Sequence, residues 1–187
     1  MSTNGELIII SGPSGVGKST LLKKLLEKYN DKLCFSVSYT SRKSRVGEVH
    51  GVDYHFVSQE EFKKGIEQNV FIEWALVHDN YYGTSKHHIE EIINCGKICI
   101  LDIDVQGAMN LMNNNVKAKY VFIAPPSIES LKERLLKRST DSLAVIEKRI
   151  KNAEKELSLK DRYQYIVVND NFDNAFNQLE NIIIRGG

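Results

Sequence analysis

Gly12-Pro13-Ser14-Gly15-Val16-Gly17-Lys18-Ser19-Thr20 has the residue types and spacing needed to hold a chain of phosphates. Gly12, Gly17, Lys18 and Ser19 satisfy the pattern G-x-x-x-x-G-K-[ST]. Glycines let a backbone wrap an anion with its N–H groups turned inward. A helix that starts there aims its positive end at the same anion. Lys18 adds a point charge within reach of β- and γ-phosphates, and Ser19 offers a hydroxyl to Mg2+. Ser14, Gly15, Val16 and Thr20 complete the cradle. A glycine-rich turn that matches by chance is the competing reading, and the flanks argue against it. Leu7-Ile8-Ile9-Ile10 reads as a short buried strand, and Leu21, Leu22, Leu25 and Leu26 recur at helical spacing. Strand, turn and helix form the context the motif requires.

Further groups could serve the same chemistry. Leu101-Asp102-Ile103-Asp104 places carboxylates at the end of an apolar run. Beside a phosphate loop such an acid holds Mg2+, usually through water. Asp102 takes that role here. Asp104 immediately precedes Val105-Gln106-Gly107 and reads as a helix cap or as a group that holds a donor. In the segment from Thr40 to Phe56, Arg42 and Arg45 are fork-shaped donors suited to a phosphate. An anion-binding loop and a solvated charged loop are both open there. Lys132, Arg134, Lys137 and Arg138, then Lys148, Arg149 and Lys151, read from composition as solvated helix faces laced with Glu129, Glu133 and Glu147.

The elements that must position these groups follow from periodicity. Lys97–Ile103, Lys119–Ala124 and Tyr165–Val168 are nearly continuous apolar runs, and helical patterns cover 126–138, 143–158 and 171–184. Apolar strands alternating with helices predict a parallel sheet covered on both faces. Residues 35–83 read differently. Short strands are predicted at Phe35–Ser38, Tyr54–Val57 and Val70–Val77, with a turn at Asp79-Asn80 before Tyr81-Tyr82-Gly83. One helix, near 59–68, opens on a Ser58/Glu61 capping box. This predicts a small mixed or antiparallel lobe inserted into the α/β core. Asn113-Asn114-Asn115 reads as a helix end and loop.

Bulk properties bound the possibilities. The 187 residues suffice for one domain with small inserted lobes. A formal net charge of +1 makes no electrostatic case for a nucleic-acid partner. Cys34, Cys95 and Cys99 are odd in number and lack companions for a metal site, so reduced thiols are expected. Leu7 to Ile10 is too short for a signal peptide or membrane span, and a soluble cytoplasmic protein is expected.

The run from Thr40 to Phe56 resembles the signature of guanylate kinases. Arg42, Arg45, Glu48, Gly51, Tyr54 and Phe56 fall on its positions. Phe71-Ile72-Glu73-Trp74, Asn80-Tyr81-Tyr82-Gly83, Ile100 to Gly107, Ala124-Pro125-Pro126-Ser127 and Val168-Asn169-Asp170 resemble that family's landmarks, in order along nearly the whole chain. The resemblance implies that Arg42, Arg45, Tyr54 and Tyr82 hold the GMP phosphate. It implies that Glu73 pairs with the guanine N1–H and 2-amino group while Ser38 donates to O6. Glu48, Thr84 and Asp102 complete the implied GMP set. Adenine presents no such donor pair to a carboxylate, and a polar group left unpaired gives strong discrimination. Without the resemblance, Glu73 reads as an exposed edge-strand acid. Thr84, then Ser85, stand where some members have Ser after the Tyr-Gly pair. Ser139-Thr140-Asp141-Ser142 resembles a lid tip. Arg138 and Arg149 match the lid arginines, and Arg134 serves the same lid on the ATP side. Asn169-Asp170 matches a loop that touches adenine, against the plainer reading of a strand-to-helix turn capped by Asp170 or Asn171.

The resemblance and the residues together imply an α/β P-loop kinase. A core (1–34, 86–125, 159–187) would carry a GMP-binding lobe (35–85) and a helical lid (126–158). Its reaction would be ATP + GMP giving ADP + GDP, with dGMP as a second acceptor. Lys18, Arg45, Arg138 and Arg149 would be catalytic, with Mg2+ on Ser19 and, through water, Asp102. No nucleic acid, membrane or obligate protein partner is expected. Two alternatives stand beside this. A non-catalytic scaffold resembling the family should lack the intact loop and lid arginines, and this chain has both. A kinase for another nucleotide is disfavoured by Glu73 and the 40–56 loop.

Overall fold

A computed structural model describes residues 5–77, 79–137 and 142–186. β1 (Leu7–Ser11) is buried along its whole length, as a strand covered on both faces must be. α1 (Lys18–Lys28) follows and buries Leu21, Leu22 and Leu25. Then come β2 (Leu33–Phe35), β3 (Tyr39–Thr40), β4 (His55–Phe56), α2 (Gln59–Glu67), β5 (Phe71–Val77) and β6 (Asn80–Ser85). After them run α3 (Lys86–Asn94), β7 (Ile98–Asp102), α4 (Val105–Asn113), β8 (Lys119–Ala124), α5 (Ile128–Lys137) and α6 (Leu143–Leu157). A 3-10 turn at Lys160–Arg162, β9 (Tyr165–Val168) and α7 (Phe172–Ile184) complete the described elements.

Five strands form one sheet in the order β2-β7-β1-β8-β9. The pairs β2/β7, β1/β8 and β8/β9 are parallel. This is the helix-flanked parallel sheet that the apolar runs predict. A second sheet has the order β4-β3-β6-β5. It is mixed, since β3 runs parallel to β4 and antiparallel to β6.

The chain clusters into two compact units. One contains Lys32–Leu101 and Met109–Lys117 with the start of the chain; the other contains Ile8–Asp31, Asp102–Ala108 and the chain from Ala118 onward. In the first unit Phe62 is fully buried and stacks on Phe71 and Tyr81 with ring centroids 4.3 and 5.2 Å away. In the second, Leu131 and Leu135 of α5 pack with Ile146 and Ala153 of α6. There α1 is clamped to α7: buried Glu180 accepts from the Tyr29 hydroxyl at 2.9 Å and pairs with Lys28 at 2.5 Å.

Two local expectations need correction. The strand expected over Phe35–Ser38 lies at Leu33–Phe35 instead. Leu33 is the buried member and pairs with Ile98, so the register with β7 draws the strand back by two residues. At the expected Asp79-Asn80 turn, Asp79 takes a positive φ of 63°, but Asn80 already begins β6 opposite Val77.

Candidate active site

β1 and β7 are neighbours, and ligands of open parallel sheets gather beyond the carboxyl ends of strands. The loop after β1 and the acids after β7 meet there. Gly17, the residue before α1, has φ +95°, and a Cβ on it would sit 2.5 Å from Asn169 Nδ2. Only glycine suits both that backbone and that approach. No side chain caps α1, so its first amides are served by the loop geometry and whatever anion enters. The loop is braced from the far end of the chain. Asn169 Nδ2 donates to the Val16 carbonyl at 2.7 Å, and Arg134 donates to the same carbonyl at 3.2 Å and to Asn169 O at 2.8 Å.

This loop, from Gly12 to Thr20, walls a pocket of about 400 Å3 together with Asp102, Ile103, Asp104 and Glu156. Lys18 Nζ lies 2.5 Å from Asp102 Oδ1 and donates to the Ile103 carbonyl at 3.3 Å. Asp104 Oδ1 accepts from the Gly107 amide at 2.7 Å and so caps α4, the capping role open to it in the sequence. Ser19 and Thr20 are exposed in the first turn of α1. Burial and the neighbouring Asp104 carboxylate push Glu156 above the usual carboxylate range, while Lys18 pulls it back. The donor set suits Mg2+. Ser19 and Asp102 offer hard oxygens, and this ion takes one or two protein ligands with water and phosphates supplying the rest. Among the described residues no group of three or more His, Cys, Asp and Glu could hold a metal alone, so a Mg2+ here would lean on bound phosphates.

The first unit carries a second constellation. Arg42 spans both oxygens of Glu48, at 2.6 and 2.7 Å, and Glu48 also accepts from the Arg45 amide at 2.7 Å. The Arg42 guanidinium and then the Arg45 amide hold Glu48 down at about 2. Arg42 lies over Tyr54 at 5.0 Å and Phe56 at 5.5 Å, and Tyr54 meets Tyr82 edge-on at 6.0 Å. Arg42, Tyr54 and Tyr82 are thus brought together, while the Arg45 side chain is exposed. On the sheet, Glu73 is paired with Thr84, whose hydroxyl donates to Glu73 Oε1 at 2.8 Å. Ser38 is half-buried before β3, and its carbonyl accepts from the His55 amide at 2.8 Å.

Other expected residues are less gathered. Arg149 is half-buried on α6. Arg138 lies outside the described residues, as do Ser139, Thr140 and Asp141. Asp170 is exposed and accepts from the Asn171 amide, while Asn171 caps α7 through the amides of Asp173 and Asn174. The side-chain amide of Asn169, expected near adenine, is engaged under the phosphate loop. Sequence reasoning missed Glu156 altogether. One signal was available: it follows Arg149 by seven residues on α6, which puts both on one helical face.

A family model described as guanylate kinase matches residues 4–185. Among curated relatives, guanylate kinase of Campylobacter jejuni subsp. jejuni serotype O:2 is 46% identical over 187 residues, covering 98% of this chain and 89% of its own. Guanylate kinase of Helicobacter pylori strain J99 is 51% identical over 175 residues, covering 94% and 84%. The crystal structure of guanylate kinase from Anaplasma phagocytophilum has a TM-score of 0.72 at 31% identity, covering 98% of this chain and 87% of that one.

Proposed function

The chain belongs to the guanylate kinase family, and on that premise we propose how its residues transfer the γ-phosphoryl group of ATP to GMP. It is a nucleoside monophosphate kinase with ATP and GMP as substrates. The observation that carries the residue-level reading is the loop pocket, where Lys18, Ser19 and Asp102 meet at the start of an uncapped helix.

The loop amides, Lys18 and Ser19 bind the triphosphate of ATP. Lys18 leaves Asp102 and turns to the β- and γ-oxygens. Ser19 and Asp102, the latter through water, would hold Mg2+, which would supply neutralisation of charge on those oxygens. Arg134 and Asn169 act from below by keeping the Val16 peptide in place. Arg42, Tyr54 and Tyr82 receive the GMP phosphate, with Arg45 as the exposed arm of that loop and Glu48 setting the Arg42 fork. Glu73 accepts from the guanine N1–H and 2-amino group, Thr84 steadies its carboxylate, and Ser38 donates to O6.

A GMP phosphate oxygen attacks the γ-phosphorus in line as the bond to the ADP oxygen breaks. No protein base is needed, because a phosphate monoester is largely ionised at neutral pH. Catalysis is positioning and charge neutralisation. Lys18, Arg45, Arg138 and Arg149 supply the cations, and an arginine aimed at the transferring group is worth about 10³ to 10⁵ in rate. dGMP, which keeps the guanine edge and the phosphate, serves as a second acceptor. Both substrates are cytoplasmic metabolites, which supports a cytoplasmic site of action.

A coupled ADP-release assay with GMP, dGMP, AMP, UMP and CMP, with and without Mg2+, tests this reading. Turnover should require Mg2+ and be confined to GMP and dGMP. Equal turnover with AMP, or full activity in excess EDTA, would refute it.

A further inference from the structure

The wall of the loop pocket carries three carboxylates, Asp102, Asp104 and Glu156, against one ammonium, Lys18. That is an unusual balance for a place that receives a polyanion. Two of the acids already have work to do. Asp102 holds Lys18 at 2.5 Å, and Asp104 caps α4 through the Gly107 amide. Glu156 comes from a different element. It lies near the end of α6, on the face that carries Arg149 two turns earlier, about 10 Å along the axis. Ile146 and Ala153 are buried against α5 and fix the rotation of the helix that presents it. Half burial and a neighbouring like charge both disfavour an ionised carboxylate at this place, so folding stability alone does not account for it.

A charge of this sign discriminates between two forms of one ligand. It repels the bare triphosphate tail strongly, and repels the same tail far less once a divalent cation, which the carboxylate attracts, has cancelled part of its charge. Granting ATP as the ligand of the loop, we propose that Glu156 is a selectivity residue that makes this pocket favour metal-complexed over metal-free nucleotide. Its carboxylate acts through its charge on the incoming complex.

Calorimetric titration of ATP into wild type and Glu156→Gln, in Mg2+ and in excess EDTA at pH 8, tests this. In Glu156→Gln the affinity for metal-free ATP should rise about tenfold, while that for Mg·ATP changes less than about twofold. The preference for the metal complex therefore shrinks by that ratio. Glu156→Asp keeps the charge and should keep the wild-type ratio. Circular dichroism checks folding, and Glu156→Ala carries the same comparison if the glutamine variant does not fold. An unaltered ratio, or equal shifts of both affinities, overturns the proposal while leaving the ATP site standing. A wild-type protein that binds neither form would instead sink the reading of the loop itself.

Discussion

Glu73 meets two demands at once. Thr84 holds one of its oxygens at 2.8 Å, and on the proposed reading the half-buried carboxylate must also serve a base with two donors. Glu73→Gln removes the charge and turns one acceptor into a donor facing a donor. Losing a charge-assisted hydrogen bond costs about 1.5–3 kcal/mol. The KM for GMP should therefore rise about tenfold to a hundredfold, with the preference over AMP falling alongside. Steady-state kinetics with both acceptors decides it, and an unchanged preference would remove Glu73 from base recognition. Glu48 offers a second check. Its carboxyl is held at about 2, from an ordinary 4.5, first by the Arg42 guanidinium and then by the Arg45 amide. A depressed acid contributes stability that is present above its unfolded value and lost as pH falls through the folded one. The Arg42–Glu48 clamp should persist below pH 4 and open near pH 2. Carboxyl carbon NMR shifts against pH would follow it, and a Glu48 midpoint above 4 would mean the clamp does not form in solution. The two arginines and Glu48 were legible as types. Their pairing was not, because loop spacing does not report which cation an acid will choose.

The helices were legible where their signals are local. At the start of α2, the Glu61 amide donates to the Ser58 hydroxyl at 3.1 Å and Glu61 receives the Ser58 amide at 2.7 Å. That is the capping box expected from two residues three apart. Ser58→Ala should cost about 1 kcal/mol and lower the Tm by about 2–4 °C for a chain of this length. The turnover number should stay near wild type. Thermal melts paired with the coupled assay would show this, and a lost activity without a lost Tm would tie the cap to the site. β2 was misplaced for the opposite reason. Leu33 and Phe35 are set by partners on β7 more than sixty residues later, and strand preference depends on such neighbours.

For the molecule as a whole, a ligand that binds only the folded chain raises its stability by mass action. At about a hundredfold excess over Kd this amounts to about 2.7 kcal/mol, or roughly 5–10 °C in Tm for a domain of this size. Mg·ATP and GMP should each produce such a shift in scanning calorimetry, and AMP a smaller one; no shift with either substrate would contradict the assignment. The glycine-rich loop between β1 and α1, the parallel sheet and the mixed character of the second sheet could all be read from the chain itself. They rest on short-range spacing and alternation, which adjacent residues carry among themselves. Which groups converge was decided only in three dimensions. Asn169 reaches the Val16 carbonyl across 153 residues, Lys18 finds Asp102, and Glu156 enters the pocket. Such meetings depend on strand order and helix packing, and no local pattern encodes a partner that far along the chain.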